Sequence, residues 1–115
     1  MELNDFLKKL RVGVLEDNYE NLMVAKGVSP CSSAYAIEIL LNCSKKIWEQ
    51  DMSAEQYCSA IIPALENKDY YEKMKSINVG KKNADYALSL MLGTAKKILS
   101  AAFWTVILNK ITFRA

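Results

Sequence analysis

The sequence predicts an all-α fold, a compact bundle of five or six helices with a long C-terminal helix. Three observations carry this. Apolar residues recur at three- and four-residue intervals through most of the 115 positions, capping residues and glycines punctuate those runs, and no stretch of useful length alternates like a half-buried strand. With 51% hydrophobic and 24% charged residues the chain is expected to form a single helical domain, residues 1–115, around one core.

Asn4 or Asp5 is the expected cap of the first helix, which turns Phe6, Leu7, Leu10 and Val14 inward and Lys8, Lys9 and Arg11 outward; Gly13 leaves its end open. Asp17 or Asn18 caps a short second helix carrying Tyr19, Leu22 and Met23, with Gly27 as its left-handed stop. Ser29 followed by Pro30 is a strong start signal, because serine caps and proline needs no amide partner in the first turn. The third helix then runs towards Gln50, with Ala34, Ile37, Leu40, Leu41, Ser44, Ile47 and Trp48 inward, and is read as the central neighbour of the last helix.

Ser53 and Gln56 form a capping-box pattern for a fourth helix, whose inner side holds Tyr57, Cys58, Ile61, Ile62 and Leu65. Pro63 removes the donor for the Ser59 carbonyl, so the helix is expected to bend or restart there. Asn67 caps a fifth helix through Ile77, with Tyr70, Met74 and Ile77 inward, and Asn78-Val79-Gly80 ends it. The sixth helix is expected from Asn83 to Phe113. Its inner stripe is Leu88, Met91, Leu92, Ala95, Leu99, Ala102 and Val106, opposite Asp85, Ser89, Lys96, Lys97 and Ser100.

Beyond Ser100 the amphipathicity fails, and Ala101, Phe103, Trp104, Ile107 and Leu108 make the last turns apolar all round. A single core covers roughly half the circumference of an edge helix, so these turns require a second surface. A protein partner is expected there, most simply a second copy of the chain, with Phe103, Trp104, Ile107 and Leu108 as the partner-binding residues. Three such side chains from each copy give a gross gain on the order of 10 kcal/mol, comparable with the freedom lost on dimerisation. The segment Ile98 to Leu108 is eleven residues, too short for a bilayer, and Lys96-Lys97 interrupts the longer run, so no membrane partner is expected.

The net charge of +2 hides an asymmetry. Residues 1 to 72 hold seven basic groups against twelve acidic ones, a net of −5; residues 73 to 115 hold eight against Asp85 alone, a net of +7. Such polarity steers an anionic partner or reflects complementarity within the fold. Lys73, Lys75, Lys81, Lys82, Lys96 and Lys97 are therefore the anion- or nucleic-acid-binding alternative, and the acidic N-terminal portion allows an inhibitor that presents its acidic surface as a decoy for a basic groove.

Histidine is absent, which removes the usual general base at neutral pH and the commonest zinc ligand, so the chain is expected to be a non-enzymatic adaptor or regulatory protein with neither metal nor cofactor. The carboxylate pairs Glu16/Glu20 and Asp69/Glu72 lie at helix starts, where the dipole favours acids. Cys31, Cys43 and Cys58 match no zinc spacing and are read as reduced, packed thiols of a cytoplasmic chain. The MELNDFLKKL start has no signal-peptide pattern.

The stretch VAKGVSPCSSAYAIEIL is similar to the turn of a helix-turn-helix DNA-binding module, with Gly27, Val28 and Ser29 at the turn. It departs from that pattern at Ser33, where an apolar residue normally packs, and offers Cys31, Ser32, Tyr35 and Glu38 where bases would be read.

Overall fold

The computed structural model describes the backbone of residues 1–114 and the side chains of residues 1–102. Six helices follow one another: α1 (Leu3–Glu16), α2 (Tyr19–Val24), α3 (Pro30–Ile47), α4 (Ala54–Asn67), α5 (Tyr70–Ile77) and α6 (Lys81–Arg114). The described residues contain no strand.

The start signals that depend on one local pattern behave as the sequence predicts. The Ser29 hydroxyl accepts from the Ser32 amide at 3.1 Å, and Pro30 opens α3. Ser53 and Gln56 exchange both capping-box bonds, at 3.1 and 2.9 Å. Gly27, at φ +89°, ends α2 by letting the Val28 amide reach the Met23 carbonyl at 3.1 Å.

Other boundaries differ. Helix α1 starts at Leu3 with Glu2 at the cap position and no side-chain cap, so Asn4 and Asp5 lie inside its first turn. Asn18 precedes α2 in the left-handed region, at φ 68°, while the Asp17 carboxylate is drawn to α6. Asn67 ends α4, and Asp69, left-handed at φ 57°, precedes α5. Asn and Asp tolerate that conformation better than other side chains, which keeps both connections short. Helix α3 stops at Ile47 because Trp48 is extended. Helix α4 continues through Pro63, which is exposed together with Ser59, so the carbonyl left without a donor lies on the solvent side. Helix α6 begins two residues before Asn83, at Lys81.

Among the described residues α3 and α6 are not main packing partners, contrary to the expectation above: each packs on α1, α2, α4 and α5. The reason lies in α3. Its buried residues, Ser33, Ala36, Ile37, Ile39, Leu40, Leu41, Cys43 and Ser44, occupy most of its circumference, so the four shorter helices surround it. Ala34, expected inward, is exposed, and Ile62 of α4 is 38% exposed. On α6 the stripe Ala84, Ala87, Leu88, Met91, Thr94, Ala95 and Leu99 is buried, whereas Leu92 and Ala102 are half-buried. Phe6 of α1 stacks on Trp48 with ring centroids 4.7 Å apart and meets Tyr57 edge-on at 5.2 Å. The small residue Gly13 sits where α1 crosses α6: a Cβ there would stand 2.8 Å from Thr94 Cγ2.

Candidate functional site

The described part of α6 leads to the apolar segment through a groove shared with α1. Val12, Gly13, Ile98, Ala101 and Ala102 line it between Lys8, Lys9, Glu16 and Lys97, and its volume is about 820 Å³. Val12 is 47% exposed, an apolar side chain open to solvent on this face. Thr94 and Lys97 fix α6 against the end of α1: the Thr94 hydroxyl donates to Asp17 at 2.7 Å and Lys97 Nζ to the same oxygen at 3.2 Å. Hydrogen bonding from Thr94, and then from Lys97, holds the Asp17 carboxyl below the usual carboxylate range. The side chains of Phe103, Trp104, Ile107 and Leu108 lie outside the described residues.

Among the described lysines of the basic third, several have partners within the chain. Lys75 pairs with Glu72 at 2.7 Å, Lys81 with Asp85 at 2.8 Å, and Lys97 with Asp17. Lys73 Nζ lies 5.6 Å from the Tyr70 ring centroid, and the Tyr71 hydroxyl donates to Asp85. Lys82 and Lys96 are exposed, and on α6 they are separated by about 21 Å of helix rise. Several of these cations are thus matched to acids or aromatic rings of their own chain. Asp17 and Lys97 also join the acidic and basic portions of the sequence, so part of the charge asymmetry is complementarity within the fold.

The helix-turn-helix likeness presents a face without a cation near the start of α3. Val28 at the turn is buried, Ser33 is 1% exposed, and α3 is enclosed on most sides. Its exposed residues near the start, Cys31, Ala34 and Tyr35, include no cation. Cys31 is exposed rather than packed, because it lies on the solvent side of the first turn of α3; Cys43 is buried and Cys58 half-buried, and burial pushes both of those thiols upward.

A different site, unpredicted from the sequence, lies between α1, α2 and α3. A cavity of about 370 Å³ is lined by Leu15, Tyr19, Pro30, Ser33, Ala34, Tyr35 and Ile37, with Arg11, Glu20, Cys31 and Glu38 completing it. Arg11 donates to Glu38, tying α1 to α3 at the cavity. Tyr19 and Ser33 are each 1% exposed, and neither the Tyr19 hydroxyl nor the Ser33 hydroxyl has a hydrogen-bond partner. Burial raises the Tyr19 phenol to about 12, so it keeps its proton at neutral pH. A buried hydroxyl left in this state costs about 1 to 3 kcal/mol. The sequence did carry one sign of it, the hydroxyl of Ser33 at a position where the turn pattern calls for an apolar residue; Tyr19 reads simply as core.

Among the described residues no helix is long and apolar enough to cross a membrane. No protein family, curated protein or solved structure matches the chain.

Proposed function

We propose that the protein is a non-enzymatic, cytoplasmic adaptor or regulatory module that acts by binding protein, and that it associates with a second copy of itself through the C-terminal part of α6. The observation that carries this reading is the apolar side of the α1/α6 groove, which in sequence leads into the all-round apolar run that follows Ala102. Ser100 and Ala101 are exposed, and the sequence continues as FWTVILNKITF. The apolar side of the α1/α6 groove adds Val12, Ile98 and Ala102 to the same end of the helix. Such a surface, followed in the sequence by Phe103 and Trp104, suits a protein interface.

The nucleic-acid alternative has less support, since Lys75, Lys81 and Lys97 already pair with acids of their own chain. An inhibitory acidic N-terminal surface rests on charge alone, and Asp17 of that portion is engaged by Lys97.

Sedimentation across micromolar concentrations tests the proposal. A dimer is expected; Trp104→Glu or Phe103→Glu should yield monomer or aggregate, and Lys96→Glu should leave the mass unchanged. A well-folded monomer throughout would overturn self-association. Affinity capture with and without nuclease then distinguishes a different protein partner from one bridged by nucleic acid.

A further inference from the structure

We propose that the Tyr70 ring, where the end of α3 meets α5, marks a binding site for a doubly charged phosphate group, carried by inorganic phosphate or a small phosphate monoester and held by Lys46, Lys73 and the Tyr70 hydroxyl. This site is separate from the self-association surface: it shares no residue with the α1/α6 groove. Its basis is a convergence of charge from two helices. Lys46, in the last turn of α3, donates from Nζ to the Tyr70 hydroxyl at 3.0 Å and lies 5.3 Å from the ring centroid. Lys73, about one turn along α5 from Tyr70, places its Nζ 5.6 Å from the same centroid. Among the described residues, Tyr71 and Tyr86 each have a single lysine at such range, Lys75 and Lys26.

These two ammonium groups lack what neighbouring lysines have. Lys75, on the same helix as Lys73, is matched by Glu72 at 2.7 Å, and Lys81 by Asp85 at 2.8 Å, whereas Lys46 and Lys73 form no ion pair among the described residues. An aromatic ring attracts an ammonium through its quadrupole but carries no net charge, so two positive charges stay uncompensated beside Tyr70. An anion next to the ring is drawn by both. The donors then select the kind of anion: each ammonium has three protons, and the Tyr70 hydroxyl, which accepts from Lys46, keeps its own proton to donate. Three donor groups and two charges suit the terminal oxygens of a phosphate dianion, while a carboxylate offers one charge and two oxygens. Lys46 and Lys73 are exposed and Tyr70 is half-buried, so the ligand enters from solvent without opening the fold. Water and salt screen such a site, and the expected affinity is millimolar.

The test titrates the full chain at about pH 8, where a phosphate monoester carries close to two charges, with inorganic phosphate, methyl phosphate, dimethyl phosphate and acetate at constant ionic strength. Nuclear magnetic resonance reads the shift changes and the dissociation constant of each probe. Inorganic phosphate is expected to perturb the Tyr70 ring and the amides of Lys46, Tyr70 and Lys73. Equal binding of methyl phosphate would assign the site to esters, and a preference for inorganic phosphate would assign it to the free ion. Dimethyl phosphate and acetate, with one charge each, should bind about fivefold more weakly or less. Lys46→Gln and Lys73→Gln should each weaken phosphate about fivefold, and Tyr70→Phe, which keeps the ring and deletes the hydroxyl, about threefold. Lys26→Gln removes the same charge at a ring with one lysine and should leave the constant unchanged. Equal affinity for dimethyl phosphate would overturn the selection of a dianion, leaving only the general attraction of anions to a basic surface. Unchanged affinity in both Lys46→Gln and Lys73→Gln, shifts centred on Lys81 and Lys82, or no binding of phosphate at millimolar concentration would overturn the site itself.

Discussion

Two buried serine–tyrosine sets lie along α3, and they are built differently. Towards the C-terminal end of that helix, the Ser44 hydroxyl lies 2.8 Å from the Leu40 carbonyl and 2.7 Å from the Tyr57 hydroxyl. Both residues are fully buried, and the Phe6 ring packs edge-on against Tyr57. Near the N-terminal end, Ser33 and Tyr19 are buried to almost the same degree, yet their hydroxyls have no partner and both residues border a cavity. Equal burial therefore has opposite consequences. At Ser44 the polar groups are satisfied inside the protein and specify how α3 meets α4, whereas at Ser33 they remain a cost to the fold.

The widest difference between the two ends should appear in thiol chemistry. Cys31 is exposed at the cavity, and Cys43 is fully buried next to Ser44. A thiol reagent should modify Cys31 in the native protein, while Cys43 reacts only through opening of the core, slower by on the order of a thousandfold or more for a domain of ordinary stability. Mass spectrometry of partially modified protein gives the ratio. Comparable rates would mean that the Ser44 end is not the closed one.

Replacement of the serines sharpens the comparison, because the signs should be opposite. Ser44→Ala removes the bond to Tyr57 and leaves the phenol buried without its serine partner, so a loss of about 1 to 3 kcal/mol is expected in denaturant unfolding. Adding Tyr57→Phe to Ser44→Ala should recover part of that loss. Ser33→Ala instead removes an unsatisfied hydroxyl and introduces a better helix former, so a gain of up to about 1 kcal/mol is expected. A loss at Ser33 as large as that at Ser44 would show that the Ser33 hydroxyl is satisfied after all.

A comparably small effect concerns Tyr19. At neutral pH Tyr19→Phe should raise stability, by up to about 1 kcal/mol, as the hydroxyl it deletes is buried and makes no bond among the described residues. The alkaline range adds a signed test. The phenol has an ordinary value of 10.0 and is raised by burial to about 12, so the folded state holds the proton more tightly than the unfolded chain. That contribution is complete below pH 10 and is lost as pH rises from about 10 to 12. Tyr19→Phe should therefore flatten the fall in stability over this window, which unfolding curves at successive pH values would measure.

The sequence alone determined the helical class, the order of six elements and the starts of α3 and α4, because each depends on residues within one or two turns. Ser29-Pro30, Ser53 with Gln56, and Gly27 act through bonds spanning three to five residues, and that range is visible in a linear pattern. The tertiary structure decided which helices meet. Periodicity reports that α3 and α6 each have an apolar face, but it does not say that both pack on the same four shorter helices. Gly13 reads as an uncertain helix end until Thr94 is brought beside it, and Asp17 reads as a cap until Thr94 and Lys97 claim its carboxylate across a separation of 77 and 80 residues. The cavity is of the same kind. Tyr19 and Ser33 each fit a core position by spacing, and only the packing of α1, α2 and α3 leaves both hydroxyls without partners at one pocket, since hydrogen-bond satisfaction is a property of three-dimensional neighbours and not of spacing along the chain.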